Sequence, residues 1–431
     1  MQRDVYQQLL KWKHSARRKP LILRGARQVG KTYLLKAFAK AEYDNSIYVN
    51  FDKEQGLASY FQQSLHPSRI IENLSIHFGQ AILPGQTLLI FDEIQDCPEA
   101  LNALKYFMED ADAYHVAAAG SLLGVILAEA GFPVGKVHFL DLYPMSFFEY
   151  LSAVGKHNWR QALVSATIQS GIPEPLHQEL LRALCFYLVI GGMPEAIATY
   201  LDSQNLQEVR EVQNAILLAY QLDFAKHAPK AQVMKIMEIW AAIPNQFAKE
   251  NKKFIFSAIH KSARGRDYEF ALEWLARAGV VHRISRINMP KIPLSAYADS
   301  RAFKVYLLDV GLLGAMSHLP MRLAVEQSQL FQEFKGALIE NFVGQELMAS
   351  AHYPLFYWSS GATAELDYVI QHELIAYPLE VKAGQSRHKK SLMVYDQRYQ
   401  PMVLSRATSM NLKQDGKLIN YPLYLISQFP L

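Results

Sequence analysis

Gly25-Ala26-Arg27-Gln28-Val29-Gly30-Lys31-Thr32 is the stretch of this 431-residue chain whose residue types and spacing dictate a chemistry most directly. It fits G-x-x-x-x-G-K-[ST] without a mismatch. The glycines let successive backbone N–H groups turn inward around phosphate oxygens. Lys31 offers a point charge to β- and γ-phosphates, and Thr32 a hydroxyl to magnesium. The apolar run Leu21-Ile22-Leu23 precedes the loop, and helical spacing of Leu34, Leu35 and Phe38 follows it. A helix opening here adds the positive end of its dipole. ATP with Mg²⁺ is the expected ligand.

A second element is needed to complete such a site. Leu88-Leu89-Ile90-Phe91-Asp92-Glu93 reads as an apolar strand ending in two acids. Asp92 is placed to hold Mg²⁺ through water, and Glu93 to orient or deprotonate the attacking water. Paired acids favour hydrolysis over binding alone. The next strand candidate, Tyr114–Ala119, is followed by Gly120-Ser121. Ser121 is either a sensor of the γ-phosphate or an ordinary N-cap for a helix over Leu122–Ala128.

Further acids stand near the other end of the chain. Glu340 falls on a helix, Asp367 on a strand, and Glu380-Val381-Lys382 on the next strand. Residues two apart in a strand share a face, so Glu380 and Lys382 point the same way. With Asp367 beside them they outline a carboxylate cage for Mg²⁺, with the lysine set to position water for phosphodiester attack. This is the Asp…Glu-x-Lys order of restriction-endonuclease-like folds, with Glu340 as an upstream helical acid. The same residues also read as strand side chains in an ion pair.

The elements that must position these groups follow an α/β pattern. Strand candidates Ser46–Phe51, Thr87–Phe91, Tyr114–Ala119 and Val137–Leu142 join Leu21–Leu23, with helices near Pro67–Phe78 and Pro98–Glu109. Fully apolar strands alternating with helices predict a buried parallel sheet. We expect an ATP-binding domain over 1–150 and a helical region over 151–220, interrupted by a turn at Gly191-Gly192-Met193-Pro194. A winged-helix-like module is expected over 221–320, with helix Asp267–Ala278 and strands Val280–Ile287 and Phe303–Leu308. An α/β domain over 321–431 opens with helix Phe334–Ala349. Trp240, Phe270 and Trp274 fall at core spacing.

Lys249, Lys252, Lys253, Lys261, Arg264 and Arg266 cluster ahead of helix 267–278, with Glu250 as the one acid. Such a run steers a phosphate backbone onto a winged helix, or forms a solvated face on a protein-binding module. The net charge of +4 is too small to decide between DNA and a protein partner. Half the residues are hydrophobic and 19% charged, as in ordered globular chains. Two cysteines, Cys97 and Cys185, cannot form a disulfide framework, so a reduced, cytoplasmic setting is expected. The longest apolar stretch, around Val116–Ala128, is too short to span a bilayer. The oligomeric state is left open.

Taken together, 25–32, Phe91-Asp92-Glu93-Ile94-Gln95, Ala119-Gly120-Ser121, Leu142–Leu151 and Gly191-Gly192-Met193-Pro194-Glu195 resemble the AAA-type ATPases of bacteria and archaea that carry a C-terminal region of unassigned function. The resemblance extends through Lys304–Leu312 to the C-terminal acids. It implies ATPase activity, an α/β phosphate-loop core with a helical lid, a winged helix and a nuclease-like end. Lys136 stands where many members carry arginine, so no arginine finger is assigned.

Overall fold

The computed structural model describes residues 1–125, 135–247, 253–322, 332–351, 354–361, 364–384 and 390–431. The chain divides into two compact units, Gln2–Tyr143 with Arg277–Gly279, and Pro144–Ala276 with Val280–Leu431. Lys249, Glu250 and Lys252 of the basic run, residues 126–128 of the expected helix after Ser121 and the start of the last expected domain lie outside the described residues. Among those residues no single helix is long and apolar enough to cross a membrane.

In the first unit β1 (Leu21–Arg24), β2 (Asn45–Asn50), β3 (Thr87–Asp92), β4 (His115–Gly120) and β5 (His138–Asp141) form a five-stranded sheet, ordered β2-β3-β4-β1-β5. All its pairings are parallel. Every residue of β3 and β4 is buried, which is why both read as continuous rather than alternating apolar runs. Helices Lys31–Glu42, Pro67–Phe78 and Pro98–Asp110 lie between strands. Two of them start on proline, whose missing N–H would have no helical partner in the first turn anyway. Ile22, Val49, Leu89, Phe91, Leu104 and Phe107 share one core, and each large side chain there contributes roughly 1.5–3 kcal/mol by burial. Because the strands are parallel, the carboxyl ends of β1, β3 and β4 reach the same edge of the sheet.

The second unit begins with helices Phe147–Ala153, His157–Val164, Glu174–Ile190, Pro194–Ser203, Leu206–His227, Val233–Phe247 and Gly265–Arg277. Ser146 and Glu149 make a reciprocal capping box at the first of these. The turn expected at Gly191-Gly192-Met193-Pro194 separates Glu174–Ile190 from Pro194–Ser203, with Gly191 at φ 78°. Eight strands then build one mixed sheet, ordered β12-β13-β11-β10-β9-β8-β6-β7. They are β6 (Val281–Ile287), β7 (Ala298–Leu307), β8 (Leu355–Ser359), β9 (Glu365–His372), β10 (Ile375–Val381), β11 (Leu404–Thr408), β12 (Lys413–Asp415) and β13 (Leu418–Pro422).

The antiparallel β6–β7 ribbon, expected as a two-stranded wing, continues into a wider sheet. β6 also pairs in parallel with β8, Ser285 to Phe356 and Ile287 to Trp358, so the ribbon is the edge of the larger sheet. A domain boundary at 320 therefore runs through one hydrogen-bonded sheet. The core beneath includes Ile287, Trp358, Leu366, Val369, Leu392 and Tyr395. Phe270 also differs from expectation. Tyr268, Ala271, Leu272 and Leu275 form the buried stripe of its helix, and Phe270 lies off that stripe, 47% exposed. Trp240 and Trp274 are buried against Phe224.

Candidate functional site

At the carboxyl end of β1 the chain enters the loop at Gly25, whose φ is +152°. A Cβ there would lie 2.2 Å from the Leu142 carbonyl oxygen, so only glycine fits. Gln28 and Gly30 also take positive φ, 65° and 95°, which folds the loop back before helix Lys31–Glu42 begins. Lys31 is nearly buried and its Nζ bridges the loop, donating to the carbonyls of Gly25 at 2.9 Å and Ala26 at 2.8 Å. From near the N-terminus, Arg3 donates to the carbonyl of Val29 at 2.8 Å and to that of Tyr143 at 2.6 Å. The loop is thus held from inside and from behind.

Thr32 Oγ1 donates to Asp92 Oδ2 at 2.8 Å. Tyr48 donates its phenol to the same oxygen at 2.7 Å, and the Glu93 N–H reaches Oδ1 at 3.1 Å. Asn50 Nδ2 in turn donates to the Tyr48 oxygen at 3.1 Å. Burial pushes the Tyr48 phenol up to about 12, against the Asn50 hydrogen bond and with the Asp92 carboxylate beside it. The phenol therefore remains a donor at neutral pH. Glu93 sits in left-handed backbone, φ 50°, which turns the chain sharply after β3. Its Oε2 accepts from Gln95 Nε2 at 2.6 Å. The Gln95 side chain packs so close to Gly120 that a Cβ there would lie 2.3 Å from Gln95 Oε1. Ser121, buried, follows directly at the end of β4.

The fold thus gathers the loop residues 25–32, Asp92 and Glu93 along one sheet edge, with Ser121 at the neighbouring strand end. Sequence reading missed Tyr48, Asn50, Gln95 and Arg3. Tyr48 and Asn50 stand two apart on β2 and share a face, and Gln95 follows Glu93 by two. Only those short spacings could have pointed to them. Nothing local singles out Arg3. A hard cation suits the hydroxyl of Thr32 and the carboxylate of Asp92, both oxygen donors.

The C-terminal acids lie in a network of ion pairs and hydrogen bonds. Glu340, on helix Gln332–Ala351, is buried and accepts from Lys304 Nζ at 2.9 Å and from the Tyr306 phenol. The same ammonium lies 2.6 Å from Glu365 and 3.6 Å from Asp367. Burial works against a charge on Lys304, yet Tyr306, Asp367 and Glu365 outweigh it and its pKa lies above the ordinary lysine value. Asp367 also accepts the Val381 N–H at 2.8 Å. Glu380 pairs with Lys382 at 3.1 Å and lies opposite Arg406 across β10 and β11. Burial raises the Glu380 pKa against the pull of Lys382. Among the described residues no three acids, histidines or cysteines converge as a metal-holding group. Asp367 and Glu380 lie on the neighbouring strands β9 and β10, and Lys304, on β7, brings its ammonium in among Glu340, Glu365 and Asp367.

In the basic run, Lys261, Arg264 and Arg266 are exposed, and Arg266 lies 3.5 Å from Asp267.

Residues 17–151 match the family model described as AAA domain. Residues 181–323 and 335–424 match two domains of unknown function, DUF8612 and DUF4143. No functionally curated protein matches the chain. Among solved structures, similarity is found to the Walker-type ATPase PABY2304 of Pyrococcus abyssi, at 15% identity and a TM-score of 0.47, covering 73% of this chain and 95% of that one. The Aeropyrum pernix ORC1 protein in complex with DNA aligns at 12% identity and a TM-score of 0.31, over 74% of this chain and 91% of that one. A variant of Thermotoga maritima RuvB aligns at 15% identity and a TM-score of 0.30, over 68% of this chain and 90% of that one.

Proposed function

We propose that this AAA-type domain hydrolyses ATP in the presence of Mg²⁺. The observation that carries the reading is the 2.8 Å contact between Thr32 Oγ1 and Asp92 Oδ2, which unites the loop hydroxyl with the strand-end carboxylate. Backbone N–H groups of 25–31 and the Lys31 ammonium bind the β- and γ-phosphates. Thr32 directly and Asp92 through water would hold Mg²⁺, which would neutralise charge on the phosphates. Glu93 takes a proton from water as the water oxygen bonds to the γ-phosphorus. The bond from that phosphorus to the bridging oxygen breaks, leaving ADP and inorganic phosphate. Ser121, at the adjacent strand end, faces the γ-phosphate side in this reading.

Lys31→Ala and Glu93→Gln test the assignment by nucleotide binding and phosphate release. Lys31→Ala is expected to lose both. Glu93→Gln is expected to keep binding and lose turnover by about 10²–10⁴-fold. Parental turnover in both variants overturns the site.

We further propose that nucleotide state governs a DNA-contacting surface in the second unit, and that this unit does not cut DNA. The exposed Lys261, Arg264 and Arg266 support contact with a phosphate backbone. The Lys304 ammonium, 3.6 Å from Asp367, already supplies a positive charge beside that carboxylate and supports the absence of cleavage. Duplex DNA binding that weakens steeply with salt, without cleavage in Mg²⁺ or Mn²⁺, is the expected result. Cleavage lost in both Asp367→Ala and Lys382→Ala restores the nuclease reading. Absence of DNA binding at low salt moves it to a protein partner.

A further inference from the structure

Arg210 has no part in the ATPase reading, and the described fold pairs only one of its terminal nitrogens. It lies near the start of helix Leu206–His227, half-buried. Nη2 donates to the Leu319 carbonyl at 2.9 Å, whereas Nη1 is buried with no partner among the described residues. Burial lowers its pKa to about 10, and no carboxylate among the described residues acts on it. Glu208, a near neighbour in sequence, is exposed and accepts from Asn205 Nδ2 at 2.9 Å. Taking a cation out of water without a counter-charge is unfavourable, so a fold without a use for this guanidinium is better served by an apolar side chain.

Arg210 lines a cavity of about 760 Å³, together with Asn205, Gln207, Asn214, His318 and Arg322. Its walls come from the first turns of Leu206–His227 and the segment after helix Val310–Met316, and among the described residues no Asp or Glu lines it. Cavities of roughly 300–1,000 Å³ suit small molecules. The lining offers two guanidiniums, an imidazole and several side-chain amides, a set rich in donors and positive charge.

We propose that this cavity is a second ligand site, taking a small organic phosphate or carboxylate whose oxygens pair with Arg210. The planar fork of a guanidinium matches either group with two parallel hydrogen bonds, which explains arginine in the wall of the cavity. Asn214, one turn further along the same helix, adds an amide donor. The site is independent of the phosphate loop and of the hydrolysis assigned to it.

Calorimetric titration of the full chain with inorganic phosphate and with citrate tests the proposal. Each titration is repeated in the Lys31→Ala background, because the phosphate loop also attracts phosphate. At least one probe is expected to bind in that background, and Arg210→Met to weaken it tenfold or more. Arg210→Met without probe is expected to melt no lower than the parent, since it removes a half-buried charge that no described carboxylate balances. The probe is expected to raise the parent's melting temperature and not the variant's. Phosphate binding alone identifies a phosphate site, and citrate binding alone a carboxylate site. No binding of either probe overturns the proposal. So does unchanged binding in Arg210→Met, or a lower melting temperature with binding retained.

Discussion

Asp92 Oδ2 takes hydrogen bonds from two hydroxyls, Thr32 and Tyr48, while Oδ1 takes one from the Glu93 backbone. Hydroxyls can rotate to accept as well as donate. In Asp92→Asn the new amide can therefore donate to Thr32 and Tyr48 while its oxygen keeps the Glu93 N–H. The fold is expected to stay within about 1 kcal/mol of the parent by urea titration. Magnesium handling has no such substitute, because the negative charge is gone. Mg²⁺-dependent ATP turnover is expected to fall by about 10²-fold or more, and unchanged turnover would remove Asp92 from the metal.

Helix termini in the second unit meet through glycines, and this sets the geometry of the Gly191-Gly192 turn. A Cβ on Gly311 would stand 2.6 Å from the Ile190 carbonyl oxygen, and one on Gly192 would stand 2.2 Å from that of Met145. Gln213 Nε2 satisfies the last carbonyls of Glu174–Ile190, at 2.8 and 2.9 Å. Asp309 caps helix Val310–Met316 through the Leu312 N–H at 2.9 Å and reaches the Gly192 N–H at 2.6 Å. Burial nonetheless raises its pKa from 3.8 to about 6, against the pull of those bonds. The native state therefore holds this proton more tightly than the unfolded chain. The contribution of Asp309 is most favourable below about pH 4 and declines as pH rises through about 6, by at most about 3 kcal/mol. Urea midpoints across that window, compared between the parent and Asp309→Asn, measure it. The parent's stability is expected to fall relative to the variant's as pH rises, and parallel curves would place the Asp309 pKa near its unfolded value.

Across the molecule, the buried polar face of helix Gln332–Ala351 organises the sheet beside it. Asn341 exchanges hydrogen bonds with Leu307, Gln345 accepts the Val310 N–H at 2.8 Å, and the Tyr368 phenol donates to the Glu340 carbonyl. Lys304 is the charge this arrangement closes around. Lys304→Met leaves buried Glu340 without its cation and is expected to destabilise the chain by about 3–5 kcal/mol. Adding Glu340→Gln removes the orphaned charge and is expected to recover most of that loss. Additive losses in the double variant would show that the pair is not coupled. Recovery without any gain of Mg²⁺ binding would separate the structural role of these acids from metal chemistry.

The phosphate loop and its strand, the paired acids, the parallel sheet and the helical middle of the chain were legible in the sequence because their signals are local. Eight consecutive residues carry the loop, and burial on both faces makes β3 and β4 apolar without interruption. Sheet neighbours are not local. That β6 pairs with β8, some seventy residues on, turned an expected wing into a sheet edge. The same sheet order carried Lys304 among acids from 340, 365 and 367, a partner that the Asp…Glu-x-Lys spacing does not reveal. Arg3, Tyr48 and Gln95 likewise became site residues only when loop, strand and turn were brought together. Residue type and short spacing specify what a side chain can do. What a buried charge faces depends on long-range pairing, and only the tertiary structure decides it.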